Sequence, residues 1–442
     1  MAEAYPISAE HEPLGSSVSW QQGAQGAKPL VVRFSCDDSM VAAGYSDGTV
    51  RVYDARTGEP RGNLEVPRVQ TDLPAPVMRF SPQQTIMQKM TRQILLVGTV
   101  DKGLQQWDLS RPTEALLYNA HPDDSIDQIL ALDYHPDGRL FAVAGTDKSD
   151  GGREKQGHAA VRIFDDNTKK RVMALEGHQN RITCLRYAGD DSPRGLLVSG
   201  GFDGLRIWDV REKRCAHTLM HGAAGVELCG DAVDIRGTTL LTASYRTSRQ
   251  LQQWDLRTGR LLNSVPLPTP SAGDAEGQAG GRALFAAQFA KDRKHGSRLF
   301  AASGSGCWPL QIFARGAASS LATKAGVGSS LVSHVSCVAT PSVMPGAIFG
   351  LDWSHEGMRL ALASSTEGVV LVNLRKPSRS LGSSAAAATS SDDPASLIAA
   401  KDATADDDFA EVDDEVEAAE VRAQELRHLS GRITELLAEG EA

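Results

Sequence analysis

One unit recurs along the chain and limits its fold more than any other feature. It is a short apolar strand ending in small residues, a turn with Asp or Ser and often Gly, and a second, alternating strand that closes on an aromatic residue and an aspartate. It reads "AAGYSDGTVRVYDARTG" at 42–58, "LVGTVDKGLQQWDLSR" at 96–111, "SGGFDGLRIWDVREKR" at 199–214 and "LTASYRTSRQLQQWDLRTG" at 241–259. Period-two alternation on either side of a tight turn is the syntax of an antiparallel hairpin. The recurrence makes the aspartate part of a building unit rather than a solitary reactive group.

A further apolar segment precedes the units, as in "VVRFS" (31–35), "VMRFS" (77–81), "LALDYHPDG" (130–138), "ITCLRY" (182–187) and "IFGLDWSHEG" (348–357). A weaker one follows the aromatic-acid pairs, as in "RCAHTLM" (214–220) and "RLLNSVPL" (260–267). Four strands per repeat make a propeller blade. The pattern resembles the WD40 family, whose blades open on Gly-His and end in Trp-Asp. The resemblance implies an all-β chain folded as a seven-bladed WD40-type β-propeller. Its closing pairs are Tyr53-Asp54, Trp107-Asp108, Phe164-Asp165, Trp208-Asp209, Trp254-Asp255 and the degenerate Phe313-Ala314 and Val372-Asn373. Their second residues are 54, 57, 44, 46, 59 and 59 apart, against about 40–45 for a minimal unit. The excess falls in loops such as 145–160 and 268–281, which are polar and Gly-rich.

A ring of sheets leaves no open edge when a strand from one end of the chain completes the blade at the other. "LGSSVSWQQ" (14–22) is the segment expected to do so. The chain then divides into an N-terminal segment (1–13), the propeller (14–376), a low-complexity linker (377–408) and an acidic amphipathic helix (409–440). In that last segment Val412, Val416, Leu426, Ile433 and Leu437 recur by threes and fours, the stripe by which a helix pairs with a partner helix or a second copy as a short coiled coil. The alternative is a solvated acidic helix, weakened by Gly431 and by small residues in the stripe.

Only the fourth blade carries the full set of polar residues that WD40-like blades link by hydrogen bonds. The resemblance implies a chain from the turn Asp203 through His178 and Ser199 to the indole of Trp208. The same three residue types could be read as a nucleophilic triad. Ser199 lies inside a strand without a nucleophile elbow, however, and Asp47 and Asp101 stand in like turns without a matching His. Neither a phosphate-binding glycine loop nor a metalloprotease or calcium-loop signature occurs. His217 and His221 are spaced as metal ligands on a helix but fall on a strand and turn. No catalytic residue, metal or cofactor is expected.

The net charge of −9 is concentrated at one end: residues 391–442 hold sixteen acidic and four basic side chains, a net of −12, leaving about +3 for residues 1–390. A nearly neutral body points away from nucleic acid as a partner. No apolar run is long enough to span a membrane, and the start lacks a secretory pattern. Cys36, Cys184, Cys215, Cys229, Cys307 and Cys337 form no CxxC pair, as expected of reduced thiols. The expected location is the cytoplasm, with cilium, cytoskeleton or nucleus as alternatives.

Two of the closing pairs continue to arginine, giving WDxR at Asp209/Arg211 and Asp255/Arg257. This resembles the box by which some WD40 proteins dock on the adaptor of cullin-RING ubiquitin ligases, the arginine offering a fixed cation to a carboxylate. The expected function is a non-catalytic scaffold binding several proteins. A ubiquitin-ligase substrate receptor and a structural subunit of a ciliary or cytoskeletal complex are the alternatives.

Overall fold

The computed structural model describes residues 15–373 without 21–26, 65–76, 149–158, 220–226, 268–282, 293–298, 306–309, 316–334, 340–345 and a few shorter loop stretches. The described residues form strands and turns with no helix, and seven four-stranded antiparallel sheets make a seven-bladed β-propeller. The first blade runs Pro29–Phe34, Met40–Tyr45, Val50–Asp54 and Pro60–Leu64. Five more repeat that order, with first strands Val77–Phe80, Ile126–Tyr134, Ile182–Tyr187, Val233–Arg236 and Leu284–Phe289. Each first strand packs on the next, and Ile348–Trp353 of the seventh blade packs on Pro29–Phe34, so the seven line the centre of the ring. The degenerate pairs Phe313-Ala314 and Val372-Asn373 close sheets like the others.

Position within a blade sets composition. Second strands such as Met40–Tyr45 and Ile94–Gly98 are buried at every residue because both faces meet a neighbouring blade. The outer strand Arg171–His178 buries only Leu175 and His178. The small residues ending the second strands are a packing requirement. A Cβ on Gly201 would lie 2.1 Å from the Arg181 carbonyl oxygen, and one on Gly304 1.9 Å from that of Ala283. The closing aromatic wedges against the preceding blade: Trp208 packs with Val161 and Ile163 of the third, Trp107 with Val50 and Val52 of the first. Removing such a wedge would cost about 3–5 kcal/mol.

A strand and a turn contact help to close the ring, with Arg359 of the seventh blade donating to the Ala55 and Asp38 carbonyls of the first. Gly15–Trp20 is the fourth strand of the seventh blade, with Val18 opposite Leu371 and Trp20 opposite Val369, which covers the edge of Gly368–Asn373. Asp38, buried with φ of 57° in a turn of the first blade, accepts the backbone N–H groups of His355 (2.8 Å) and Glu356 (2.9 Å) in the seventh. Part of the loop expected over 145–160 is sheet instead. Leu140–Asp147 and Ala159–Asp165 reach into it, and Arg162 pairs with Asp147 at 2.7 Å. The loop expected over 268–281, the linker 377–408 and the helix 409–440, with Val412, Val416, Leu426, Ile433 and Leu437, lie outside the described residues.

Candidate functional site

The four polar residues of the fourth blade meet in one chain of hydrogen bonds. The Trp208 indole N–H donates to Ser199 Oγ at 2.7 Å, Ser199 stands 2.7 Å from His178 Nε2, and His178 Nδ1 lies 2.8 Å from Asp203 Oδ1. With the indole donating, the hydroxyl proton goes to Nε2, which assigns the Nδ1–H tautomer donating to Asp203. Asp203 Oδ2 also accepts the Gln179 backbone N–H at 2.9 Å and Arg206 Nη1 at 3.0 Å. Burial lowers the pKa of His178, the Arg206 charge acts the same way, and Asp203 only partly opposes them. Burial by itself would raise the Asp203 carboxyl, but the bonds from His178 and Gln179 bring it below its ordinary value. Ser199 is 0% exposed, its proton given to His178 and one lone pair taken by the indole, so its hydroxyl is not presented to a substrate. The neutral imidazole acts as a connector between an acid and an alcohol.

The other blades solve the same problem with different chemistry. In the fifth, Thr242 stands where Ser199 does and accepts the Trp254 indole N–H at 3.0 Å. The second blade has Val97 there, and Trp107 donates to Gln105 Oε1 at 3.1 Å instead. Where the closing aromatic is phenylalanine there is no donor to satisfy, and the ring stacks on its cross-strand phenylalanine. Phe164 lies on Phe141 at 5.4 Å and Phe313 on Phe300 at 5.1 Å, each 14° from parallel.

The aspartate after the aromatic caps the turn to the outer strand. Asp209 Oδ1 accepts the N–H groups of Arg211 (3.0 Å) and Glu212 (3.2 Å); Asp255 Oδ1 accepts those of Arg257 (2.8 Å) and Thr258 (3.2 Å). Asp54 does the same for Arg56 and Thr57. There burial by itself would raise the carboxyl, but these amides together with Arg61 outweigh it and hold it at about 2. These acids orient backbone, which is the turn chemistry expected of Asp.

Both WDxR arginines are exposed, and although 46 residues apart in the chain they line one groove of about 340 Å³ between the outer strands of the fourth blade and the closing turn of the fifth. Asp209, Arg214, His217 and Leu196 also line it, with Ile207 and Leu256 fully buried behind them. His217 Nε2 donates to the Arg257 carbonyl at 2.6 Å and so ties the two blades together there. No cluster of three metal-binding side chains occurs among the described residues.

A ring of charge at the centre was not anticipated from the sequence. One residue of each first strand occupies an equivalent place: Arg33, Arg79, Asp133, Arg186, Asp234, Gln288 and Asp352, six of them buried. Where that residue can accept, it takes the backbone N–H of the next blade: Asp133 from Tyr187, Asp234 from Phe289 and Asp352 from Phe34, each at 2.8 Å, and Gln288 from Trp353 at 2.7 Å. Where it is arginine, it reaches forward to an acid: Arg79 to Asp133 (3.0 Å) and Arg186 to Asp234 (2.8 Å). Arg33 faces Arg79 in the next blade and has no such acid, so Asp231 of the fifth blade reaches in and bonds both. Lys291 pairs with Asp352 at 2.7 Å, so four cations meet four carboxylates. The signal for this ring was a single polar residue repeated inside otherwise apolar strands.

A family model described as "WD domain, G-beta repeat" matches residues 26–54, 114–149 and 169–209. Pre-mRNA-processing factor 19 of Oryza sativa subsp. japonica is 20% identical over 230 residues, covering 51% of this chain and 39% of that protein. Mitochondrial division protein 1 of Aspergillus clavatus is 25% identical over 280 residues, covering 59% of this chain and 36% of that one. The match therefore spans under half the length of these relatives. Among solved structures, that of U3-55K has a TM-score of 0.59 at 14% identity, covering 82% of this chain and 100% of the other. The RRP9 WD40 repeats give 0.59 at 15%, covering 83% and 99%. At such identity the likeness is one of fold.

Proposed function

This chain belongs to the WD40-repeat β-propeller family, and on that premise we propose that it is a non-catalytic scaffold that holds several proteins in one complex. The observation that carries this reading is where the polar groups are spent. The charges of the central ring and the Ser199–His178–Asp203 chain are committed internally, and the exposed Arg211 and Arg257 stand on turns whose backbone is capped by Asp209 and Asp255. Such a body presents fixed surfaces, and these polar groups supply no reaction centre among the described residues. The named relatives are consistent with it: one is a pre-mRNA-processing factor and another a mitochondrial division protein, so proteins similar to this chain serve unlike processes.

The test is purification of the full chain from its own cells under mild salt, followed by mass spectrometry and sizing. A scaffold elutes in a larger assembly with partners at constant ratio; a lone monomer would reject the reading. The RNA-processing relative favours the nucleus over the cytoplasm as the proposed compartment. Repeating the purification after ribonuclease distinguishes protein contacts from a shared RNA.

A second reading is favoured by the shared groove of Arg211 and Arg257: a substrate receptor docked on the adaptor of a cullin-RING ubiquitin ligase. It predicts that adaptor and cullin subunits co-purify and are lost from the Arg211→Ala/Arg257→Ala protein.

A further inference from the structure

The strand Gly15–Trp20 is held to the propeller along one edge. It pairs with Gly368–Asn373 alone, and the pairing is interrupted: Gly15 stands opposite Asn373, the register then shifts, and Val18, Ser19 and Trp20 stand opposite Leu371, Val370 and Val369. The ring does not depend on it. The first and seventh blades share one apolar core, which holds Val32, Phe34 and Val41 of the one and Ala361, Ala363 and Leu371 of the other. Asp352 accepts the Phe34 N–H at 2.8 Å, Asp38 accepts two N–H groups of the seventh blade, and Arg359 donates to the Ala55 and Asp38 carbonyls at 3.1 and 3.2 Å. Release of the strand therefore bares an edge and leaves the ring shut.

That edge demands a strand. Gly368–Asn373 reads GVVLVN, without charge or proline, and five of its residues are buried, so it recruits any strand that fits. The strand seen to fit is 15–20, and a second copy offers the same six residues in the same register. The connector sets the balance between the two sources. Lys28 is fixed on the first blade, its N–H donating to Ser46 Oγ at 3.0 Å and its carbonyl accepting the Ser46 N–H at 2.7 Å, and Ala27 packs on the shared core. Six residues, 21–26, lie between Trp20 and Ala27. The outer strand of the seventh blade is three strand spacings from its inner one, about 14 Å, and seven Cα steps reach at most about 25 Å. The connection within one chain is thus allowed but short. Such a connector gives its strand an effective concentration of order ~1 mM. One chain keeps its own strand in dilute solution, and exchange gains ground as the protein approaches that concentration.

We propose that Gly15–Trp20 is an exchangeable strand, through which two copies of this chain pair by each completing the other's seventh blade. The strand of one copy lies antiparallel on Gly368–Asn373 of the other, and the product is a two-fold dimer with both rings closed. No contact is needed at the exchanged edge that the single chain lacks. The inference is independent of the scaffold reading: it makes completion of a blade, rather than a separate docking surface, the basis of self-association.

The experiment places Val18→Cys and Leu371→Cys in the full chain, since these residues stand opposite each other in the pair. Their disulfide is internal in a monomer and joins two chains in an exchanged dimer. The protein is refolded from urea under reducing conditions at about 1 μM and at about 1 mM, oxidised, and resolved on a non-reducing denaturing gel beside the wild type, whose six cysteines set the background. The proposal expects a covalent dimer from the concentrated sample and a monomer from the dilute one. In a second arm, residues 22–25 are deleted from the otherwise unchanged chain. The three Cα steps left between Trp20 and Ala27 reach at most about 11 Å, too few to cross the blade. Exchange then fills the edge, and the concentration at which half the chains are dimeric in analytical ultracentrifugation should fall at least about tenfold. A disulfide that is internal at both concentrations overturns the proposal. So does a dimer whose disulfides are internal, which would place self-association elsewhere, as in the stripe of 409–440, and so does a shortened chain that folds and stays monomeric at about 1 mM. Where one variant fails to fold or to cross-link, the other decides.

Discussion

Arg79 of the second blade donates to Asp231 of the fifth at 2.6 Å, a bond between sheets that are not neighbours in the ring and therefore one that crosses its centre. Arg33 of the first blade bonds the other oxygen of the same carboxylate. Two adjacent blades present like charges at equivalent places, and a third supplies the acid that makes them compatible.

The first prediction follows from that arrangement. Asp231→Ala leaves two buried guanidiniums side by side with one acid, Asp133, within reach. Breaking a buried pair from one side costs about 3–5 kcal/mol, and urea unfolding should show a loss of that order. Arg33→Met in the Asp231→Ala background should restore part of it, because it removes the guanidinium left without an acid. A double-mutant cycle with no coupling between Arg33 and Asp231 would contradict the account.

Ser199 and Thr242 hold equivalent places with unequal loads. Ser199→Ala strands both the Trp208 indole N–H and His178 Nε2, whereas Thr242→Ala strands the Trp254 indole alone. Each orphaned buried group costs about 1–3 kcal/mol, so Ser199→Ala should lower the unfolding free energy by roughly twice as much. The comparison is made by chemical denaturation, with near-ultraviolet circular dichroism reporting each indole. Equal losses would mean that the histidine adds nothing to the fold.

This difference also shows what the primary structure made legible. The closing pairs and their upstream strands follow a period of two over a few residues, so seven blades could be counted even where Ala314 and Asn373 replace the acid. The hydrogen-bonded chain was legible through the WD40 resemblance, which implies those four residue types, and the fourth blade carries all of them. The bond between Trp107 and Gln105 was not, since a glutamine in an apolar strand gives no sign of which donor it will meet. The charge ring was hidden for a related reason: Arg33 and Asp231 are 198 residues apart, and only closure of the ring makes them partners. The groove likewise exists only once adjacent blades bring Arg211 and Arg257 to one lining.

Acid should weaken the fold in two steps, and the sign is set by His178. Its folded pKa lies below the ordinary value of 6.5 because burial disfavours the imidazolium. The unfolded chain therefore binds the proton first. Stability is fully present above that value and is lost as pH falls from there through the folded pKa. Asp203, also lowered, removes a second increment below its ordinary 3.8. The urea midpoint should be lower at about pH 5.5 than at about pH 7.5. His178→Gln, which cannot titrate, should narrow that gap. A gap of unchanged size would assign the acid sensitivity to other groups.

The closing strand has the largest expected consequence for solubility. Deleting residues 1–20 removes Gly15–Trp20 and bares the hydrogen-bonding edge of Gly368–Asn373, whose five residues Gly368–Val372 are buried. The Asp38 contacts to His355 and Glu356 remain and should keep the first and seventh blades adjacent. Loss of the strand should therefore lower the thermal midpoint and promote edge-to-edge association rather than abolish folding outright. Size-exclusion chromatography of the truncated chain should show concentration-dependent aggregation, and Asp38→Ala in the same background should prevent a cooperative transition. A truncated chain as stable and monomeric as the intact one would mean that the three remaining strands of the seventh blade, with the Asp38 latch, suffice to close the ring.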